Sequence, residues 1–144
     1  MKVLVTGHDG YIGCVLTPML REAGHEVVGL DNFLTGKKEN LASFADKIEF
    51  IEGDIRDLPL LTRLCKDVDY VLPHAALASV PWSVEDPIAT HEHNANGTLN
   101  VLLAARDGGV KKVVMAVTSA AYGNSEVIPA HEDLPTMALS PYAA

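Results

Sequence analysis

Short apolar, β-branched runs alternate along the chain with longer stretches in which apolar residues recur every three or four positions. The first pattern predicts buried strands, and the second predicts amphipathic helices. The predicted strands are Lys2–Val5, Glu26–Leu30, Ile48–Ile51, Asp69–Leu72 and Lys112–Val117. The predicted helices cover Ile12–Ala23, a segment after Asp57 that carries Leu58, Leu61, Leu64 and Cys65, and the stretch from Asp86-Pro87 to Gly108-Gly109. Because strands separated by helices pair in parallel, we expect an α/β fold with a doubly wound parallel sheet.

The composition favours one cytoplasmic domain. The 144 residues are 48% hydrophobic, and the longest apolar runs are far shorter than the roughly 20 residues of a membrane-spanning helix. The start of the chain lacks a signal-peptide pattern. Cys14 and Cys65 show no metal-binding spacing and are predicted to be reduced packing residues rather than a disulfide. A net charge of −8 argues against a nucleic-acid partner.

A glycine-rich turn, TGHDGYIG, follows the first strand and precedes the first helix. In this position Gly7 permits a sharp turn, Gly10 lets a pyrophosphate approach the backbone, and Gly13 allows close packing of the helix. Such a site requires an acidic residue at the end of the second strand, and Asp31 stands there. A carboxylate at this point accepts hydrogen bonds from a ribose and repels a 2′-phosphate, so NAD is predicted over NADP. A plain glycine turn with a surface aspartate is the alternative.

These motifs and several later ones resemble the extended short-chain dehydrogenases/reductases of the NAD-dependent epimerase/dehydratase family. The matching segments are TGHDGYIG, DNF, GDIRD, HAA, NANGTLN, TSAAYG and SPYAA. Two further stretches, NFLTGKKENL and HAALASVPWSVEDP, are most similar to the family's UDP-N-acetylhexosamine and UDP-glucose 4-epimerases. The resemblance implies a Rossmann-like NAD-binding domain over residues 1–144 and a nucleotide-sugar substrate.

The resemblance also implies site residues. The cofactor-binding set is Gly7, Gly10, Tyr11, Ile12, Gly13, Asp31, Asn32, Asp54, Ile55, His74, Ala75, Ala76 and Asn94. The substrate-binding set is Ser79, Val80, Ser83 and Ser119.

Thr118 and Tyr142 are the predicted catalytic residues. Oxidation of a secondary alcohol by NAD requires a base for the hydroxyl proton and a donor that holds the oxygen. Thr118 ends the fifth strand, where open α/β sheets bind ligands, and Tyr142 follows Ser140-Pro141 at a helix start. By themselves Thr118 and Tyr142 are better explained as a strand-end threonine and a packing tyrosine. The order of the motifs favours the catalytic interpretation.

Ala120 and Ala121 distinguish among related reactions. Dehydratases of this family carry an acidic pair at this position, and decarboxylases carry a glutamate. Without an acid to protonate a leaving hydroxyl, we expect 4-epimerisation by transient oxidation at C4. A non-catalytic NAD-binding regulatory module and a one-way sugar-ketone reductase are the alternatives.

Two histidine groupings are interpreted without a metal. His91-Glu92-His93 lacks the i, i+4 spacing of helical metal ligands, because neighbouring helical residues point about 100° apart. His74 is predicted to position the cofactor loop rather than to act as a base.

The resemblance further implies that the chain is the N-terminal portion of a longer enzyme. The family's catalytic lysine would stand two positions beyond Ala144, and the substrate-selecting region would follow. We therefore expect the isolated 144 residues to bind NAD without measurable epimerisation. A homodimer through the long helix after Asp86 is expected from the resemblance.

Overall fold

A computed structural model describes the backbone of residues 1–144 and every side chain except those of residues 43 and 45. Five parallel strands form one sheet in the order β3-β2-β1-β4-β5. They are β1 (Lys2–Thr6), β2 (Glu26–Asp31), β3 (Glu49–Glu52), β4 (Tyr70–Pro73) and β5 (Lys112–Val113). The predicted α/β parallel fold is confirmed.

Helices connect the strands and cover the sheet. They are α1 (Gly13–Glu22), α2 (Leu58–Leu64), α3 (Val80–Glu85), α4 (Pro87–His91) and α5 (Gly97–Asp107). A π-helical turn, Glu92–Asn96, joins α4 to α5, so the predicted long helix is present but locally widened. Short 3₁₀ segments occupy Lys38–Lys47, Cys65–Asp67 and Ser119–Tyr122. No described helix is long and apolar enough to cross a membrane.

Alternating side chains of the strands build two hydrophobic layers. Leu4 and Val71 pack on one face against Leu61 of α2 and Val101 of α5. On the opposite face, Val3, Val5 and Val27 form a smaller cluster beside Leu20 of α1. The central strands are therefore covered on both sides, as the apolar strand pattern predicts.

Asp57 and Asp86, the residues at which the sequence places two helix starts, cap α2 and α4. The Asp57 side chain accepts a hydrogen bond from the Leu60 backbone N–H at 2.9 Å. The Asp86 side chain accepts one from Ala89 at 2.9 Å. These caps fix where α2 and α4 begin, because each satisfies a backbone donor that the helix cannot.

The fifth strand is shorter than predicted. Only Lys112–Val113 pairs with β4, and Val114 adds one further bond from its N–H to the Val71 carbonyl at 3.0 Å. Residues 114–117 carry strand-like sequence, but β5 is an edge of the described sheet and its other side pairs with no strand. The prediction of a strand to Val117 is wrong because β-branched composition does not supply the ladder bonds that define a strand.

The strand order places a topological switch point between β1 and β4. From β1 the chain adds β2 and then β3 on one side of β1. It then crosses back and adds β4 and β5 on the other side of β1. The loops that follow β1 and β4 leave the sheet in opposite directions, which opens a crevice at the carboxyl edge. This crevice is the expected location of a ligand site.

Truncation of Leu61 tests the packing of α2 against the sheet and α5. Leu61 is fully buried between the sheet and α5, so Leu61→Ala should lower the free energy of unfolding by about 2–5 kcal/mol through lost burial and a residual cavity. Urea denaturation monitored by circular dichroism measures this change. Leu102→Ala on the exposed side of α5 is the matched control and should lower the free energy of unfolding much less. Equal losses of unfolding free energy in the two variants would contradict the burial of Leu61 between the sheet and α5.

Candidate cofactor and catalytic site

Gly7 and Gly13 of the glycine-rich loop are packed so tightly that no side chain fits at either position. Gly7 has φ +68°, and its N–H donates to the Leu30 carbonyl at 2.8 Å. A Cβ at Gly7 would lie 2.6 Å from the Ala75 nitrogen, and a Cβ at Gly13 would overlap the Gly7 carbonyl. The turn directs the N-terminus of α1, with its unsatisfied N–H groups, towards the crevice.

Asp31 ends β2 with its carboxylate held by two backbone donors. The Asp9 N–H donates to one oxygen at 3.0 Å, and the Phe33 N–H donates to the other at 2.8 Å. Asp31 is 7% exposed, so its orientation is fixed in a mostly buried setting. A ribose diol at this end of the crevice would meet a carboxylate that is already oriented.

A cleft runs from Asp31 past the glycine-rich loop to β4. Eight residues of the predicted cofactor set line it: Gly7, Gly10, Asp31, Asn32, Ile55, His74, Ala75 and Ala76. Six further lining residues escaped prediction: Leu30, Leu34, Thr35, Gly53, Leu77 and His93. Leu30 is the penultimate residue of β2 and Gly53 directly follows β3, and this position at strand ends is the signal that could have found these two.

A second cavity of about 260 Å³ adjoins the cleft. Thr118 and Tyr142, the two predicted catalytic residues, both line it although 24 positions separate them in the sequence. His74, Ala75 and Ala76 line the cavity and the cleft alike. A molecule that extends along the cleft therefore passes beside the two hydroxyl-bearing residues.

The Thr118 hydroxyl oxygen accepts a hydrogen bond from the Ala120 N–H at 3.1 Å. That bond uses a lone pair and leaves the hydroxyl hydrogen available for donation into the cavity. Tyr142 lies half-buried in a turn, in which the Ala143 N–H donates to the Ser140 carbonyl at 3.0 Å. Thr118 and Tyr142 thus offer one oriented donor and one phenol to the same space.

Asn94 fixes the wall between the cleft and the cavity. Its side-chain oxygen accepts from the Leu77 N–H at 2.8 Å, and its amide donates to the Leu77 carbonyl at 3.1 Å. The Asn94 side chain also lines the cavity. The pair of bonds to Leu77 indicates that Asn94 positions the loop after β4, in addition to the predicted cofactor contact.

His74 anchors the start of the same loop through its backbone. Its N–H donates to the Thr6 carbonyl at 3.1 Å, and burial lowers the pKa of its ring. The lowered pKa favours a neutral imidazole. This geometry agrees with a positioning role for His74.

Two buried ring nitrogens near the cleft have no hydrogen-bond partner within the described part of the chain, His74 Nδ1 and His93 Nε2. His93 Nδ1 lies 2.8 Å from the Ala89 carbonyl, which it can reach only as a donor, so the neutral ring keeps Nε2 as an acceptor. Buried polar atoms without partners fit a cleft made for a polar ligand.

Some predicted residues lie outside both the cleft and the cavity. They are Tyr11, Gly13, Asp54, Ser79, Val80, Ser83 and Ser119. The Ser79 hydroxyl caps α3 by accepting from the Trp82 N–H at 3.2 Å, and the buried Ser83 hydroxyl donates to the Val80 carbonyl at 2.7 Å. Tyr11 is 90% exposed. Their roles in binding cofactor or substrate stay predictions, and Ser79 and Ser83 have clear structural roles besides.

Asp54 lies at the rim of the cleft in a hydrogen-bonded network. It accepts from the Arg56 guanidinium at 2.8 and 3.0 Å and from the Asn32 amide at 2.9 Å. The Arg56 side chain holds the pKa of the Asp54 carboxyl well below its usual range. Asp54 is therefore a fixed anion that orients Asn32, which does line the cleft.

The model of the NAD-dependent epimerase/dehydratase family matches residues 3–144, which is nearly the whole chain and includes both the cleft and the cavity. The chain belongs to this family. The resemblance seen in the sequence motifs is thereby confirmed. The family uses NAD, and the glycine cradle, the oriented Asp31 and the unpartnered ring nitrogens of the cleft fit that cofactor.

Several family members are similar to this chain along its whole length. A UDP-glucose 4-epimerase of Mycolicibacterium smegmatis is 43% identical over 148 residues, covering 100% of this chain and 47% of that protein. The crystal structure of Thermus thermophilus UDP-glucose 4-epimerase with NAD has a TM-score of 0.91 at 42% identity, covering 99% of this chain and 46% of that one. The structure of UDP-N-acetylglucosamine 4-epimerase from Methanobrevibacter ruminantium M1 has a TM-score of 0.93 at 36% identity, and the match covers 99% of this chain and 46% of that one. The chain thus spans about half the length of these relatives.

A buried acid beside Asp31 makes the stability of this family member depend on pH. Burial and the neighbouring Asp31 charge raise the pKa of Asp9 from 3.8 to about 6, so the folded state binds a proton more tightly than the unfolded chain. The free energy of unfolding contributed by Asp9 should therefore fall as pH rises from about 4 to about 6.

Comparison with Asp9→Asn isolates this contribution, because all other titrating groups are shared. The variant should gain stability relative to the parent between pH 4.5 and pH 7 in urea denaturation. Asp67→Asn, an exposed aspartate before β4, is the control and should show no such gain. A difference between parent and Asp9→Asn that does not change with pH would contradict the raised pKa.

Proposed function

We propose that residues 1–144 are the NAD-binding portion of a nucleotide-sugar 4-epimerase that acts on a UDP-hexose or UDP-N-acetylhexosamine. The observation that carries the proposal is the wall shared by the cofactor cleft and the cavity of Thr118 and Tyr142. This arrangement supports hydride exchange between a cofactor in the cleft and a sugar in the cavity. The similarity to UDP-glucose and UDP-N-acetylglucosamine 4-epimerases supports the substrate class.

The cleft residues hold and orient the cofactor. The α1 N-terminus and the backbone of Gly10 receive the pyrophosphate, since a helix start offers N–H donors and a favourable dipole. Asp31 accepts hydrogen bonds from the adenosine ribose. Asn94 keeps the loop after β4 in place, and that loop carries Ala75 and Ala76, which line the cleft. A cofactor held by these residues would supply reversible hydride transfer at C4 of the sugar.

Thr118 and Tyr142 handle the oxygen at C4. The Thr118 hydroxyl donates to that oxygen and holds it in place, while its own oxygen is fixed by the Ala120 N–H. Tyr142 takes the hydroxyl proton during oxidation and gives it back during reduction. Inversion requires the 4-keto sugar to present its other face before the hydride returns.

Ala120 and Ala121 favour epimerisation over dehydration. Both lie in the 3₁₀ segment directly after Thr118, and neither supplies an acid that could protonate a leaving hydroxyl. The absence of acidic side chains at these two positions is the feature that separates the proposed reaction from elimination.

A helix face offers a surface for the expected homodimer. Val84, Ile88, Leu99 and Leu102 are exposed apolar residues on α3, α4 and α5. Their spacing of three or four residues along α5 and across the helix junction supports pairing between copies through this face. The dimer and a cytoplasmic location are parts of the proposal.

Removal of the Asp31 carboxylate should weaken NAD binding. Asp31→Ala loses charge-assisted hydrogen bonds to the ribose, each worth about 1.5–3 kcal/mol, and it should also narrow the preference for NAD over NADP. Isothermal titration calorimetry with both cofactors measures the two effects. Asp67→Ala is the control for loss of one negative charge, and thermal melting checks folding. Equal affinity of the parent for NAD and NADP would show that Asp31 does not hold the ribose.

Isotope retention tests the proposed reaction in the whole protein. With UDP-glucose deuterated at C4, the epimerised sugar should keep deuterium at C4, and none should appear in added free NAD, because the cofactor stays bound through turnover. Tyr142→Phe should abolish product while NAD remains bound. Deuterium in the free cofactor pool would instead identify a reductase that releases its cofactor. Bound NAD without any product would favour a regulatory module.

A further inference from the structure

His93 is a buried polar residue of the cleft for which the proposed reaction has no use. It lies in the π-helical turn Glu92–Asn96 and is 9% exposed. His93 lines the cleft but not the cavity, whereas the next residue, Asn94, lines the cavity but not the cleft. Widened turns of this kind occur frequently at functional sites. Here the turn directs two neighbouring residues to the two parts of the site.

The hydrogen bond of one ring nitrogen determines what the other can do. Nδ1 of His93 lies 2.8 Å from the Ala89 carbonyl oxygen, so Nδ1 carries the ring hydrogen and donates it. Nε2 is therefore an acceptor, and it has no donor among the residues that the structure describes. A buried acceptor that stays unpaired costs free energy. A ligand gains affinity if it brings an N–H or O–H group to this point of the cleft.

Helix packing locates His93 at the β3 side of the cleft. Gly97, four residues further along the helix, lies against Ile55, because a Cβ at Gly97 would overlap the Ile55 side chain. The Asn100 side-chain amide donates to the Ile55 carbonyl oxygen at 3.3 Å. Ile55 itself lines the cleft, so this helix rests on the loop after β3. Since β3 pairs with β2, which ends in Asp31, His93 belongs to the end of the cleft assigned to the adenosine ribose.

The adenosine half of NAD has few groups that can donate a hydrogen bond to His93. They are the two ribose hydroxyls and the amino group of adenine. Asp31 is assigned to the hydroxyls, which leaves the amino group. The cleft lining also includes apolar side chains, Leu30, Leu34 and Ile55, which suit the flat faces of a purine base.

Asp54, a predicted cofactor contact, already has its acceptor positions filled. Its Oδ1 accepts from the Arg56 backbone N–H at 2.8 Å and from the Arg56 side chain at 3.0 Å. Its Oδ2 accepts from the Arg56 guanidinium at 2.8 Å and from the Asn32 amide at 2.9 Å. These bonds use the roughly four lone-pair positions of a carboxylate. Nε2 of His93 is an acceptor on the cleft wall that is still open.

We propose that His93 recognises the base of the cofactor by accepting, at Nε2, a hydrogen bond from the amino group of adenine. The proposal rests on the binding of NAD in the cleft with its ribose at Asp31. An acceptor at this point favours a base with an amino group and disfavours a base with a carbonyl oxygen there, because two acceptors would then face each other. His93 is a specificity-determining residue for the base, as Asp31 is for the ribose.

Nicotinamide hypoxanthine dinucleotide is the probe, because hypoxanthine carries a carbonyl oxygen where adenine carries the amino group. In calorimetric titrations the parent protein should bind NAD about tenfold more tightly than this analogue. His93→Phe keeps a flat ring but has no acceptor, so the two affinities should become nearly equal. His91→Phe, at an exposed histidine two positions earlier, is the matched control and should keep the parent's preference.

A second variant covers the case in which His93→Phe does not fold, which thermal melting shows. The side-chain amide of His93→Gln can turn to offer either an acceptor or a donor. This variant should therefore bind both dinucleotides and also lose the preference for NAD.

Equal affinity of the parent for the two dinucleotides would overturn the proposal. A preserved affinity ratio in the variants at His93 would overturn it too, even if both affinities fall, since a parallel loss is what a purely structural histidine produces. Asp31→Ala, measured alongside, should weaken both dinucleotides and leave their ratio unchanged. If it does so while the variants at His93 keep the ratio, only the role of His93 fails. If Asp31→Ala changes neither affinity, the ribose is not held at Asp31, and both assignments fail.

Discussion

The contact between the first turn and the loop after β4 governs the rest of the site. Gly7 approaches the Ala75 backbone so closely that no other residue fits, and Thr6 bonds to both His74 and Ala75. This contact joins the two halves of the sheet at the switch point. It sets the width of the cleft and also the position of the wall that the cavity shares with it. The cleft and the adjoining cavity therefore both depend on one packing constraint.

Features that depend on local sequence were predictable from it. The apolar alternation in β1 and β2 specifies which face of the sheet each side chain meets, and Asp57 and Asp86 specify where helices begin. Apolar alternation and capping residues predict local structure because backbone groups must be hydrogen-bonded and apolar side chains buried, which few local conformations allow. The glycine spacing and Asp31 predict a cofactor site because each meets a steric or electrostatic requirement within one βαβ unit, and Gly7, Gly10 and Asp31 do line one cleft.

Features that depend on distant partners were not predictable. Residues 114–117 have the composition of a strand but pair with none in the described sheet, since an edge strand needs a neighbour that composition does not reveal. The π-helical turn at Glu92–Asn96 has no sequence period, yet it lies where His93 and Asn94 face the cleft and the cavity. Ser79 and Ser83 also make local helix contacts that motif matching did not predict, while their role in binding substrate stays a prediction.

The buried acid in the glycine-rich loop, Asp9, makes the stability of the fold fall as pH rises. A small residue at position 9 would avoid both the desolvation of a carboxyl and its repulsion by Asp31, which together raise the Asp9 pKa to about 6. The fold instead accommodates the pair through Gly29, which leaves space for His8, and through the Asp9 carbonyl, which accepts hydrogen bonds from Lys37 and Asn40. Those bonds tie the loop after β2 to the glycine-rich loop. The surrounding contacts therefore hold in place a buried acid whose ionisation lowers the free energy of unfolding as pH rises.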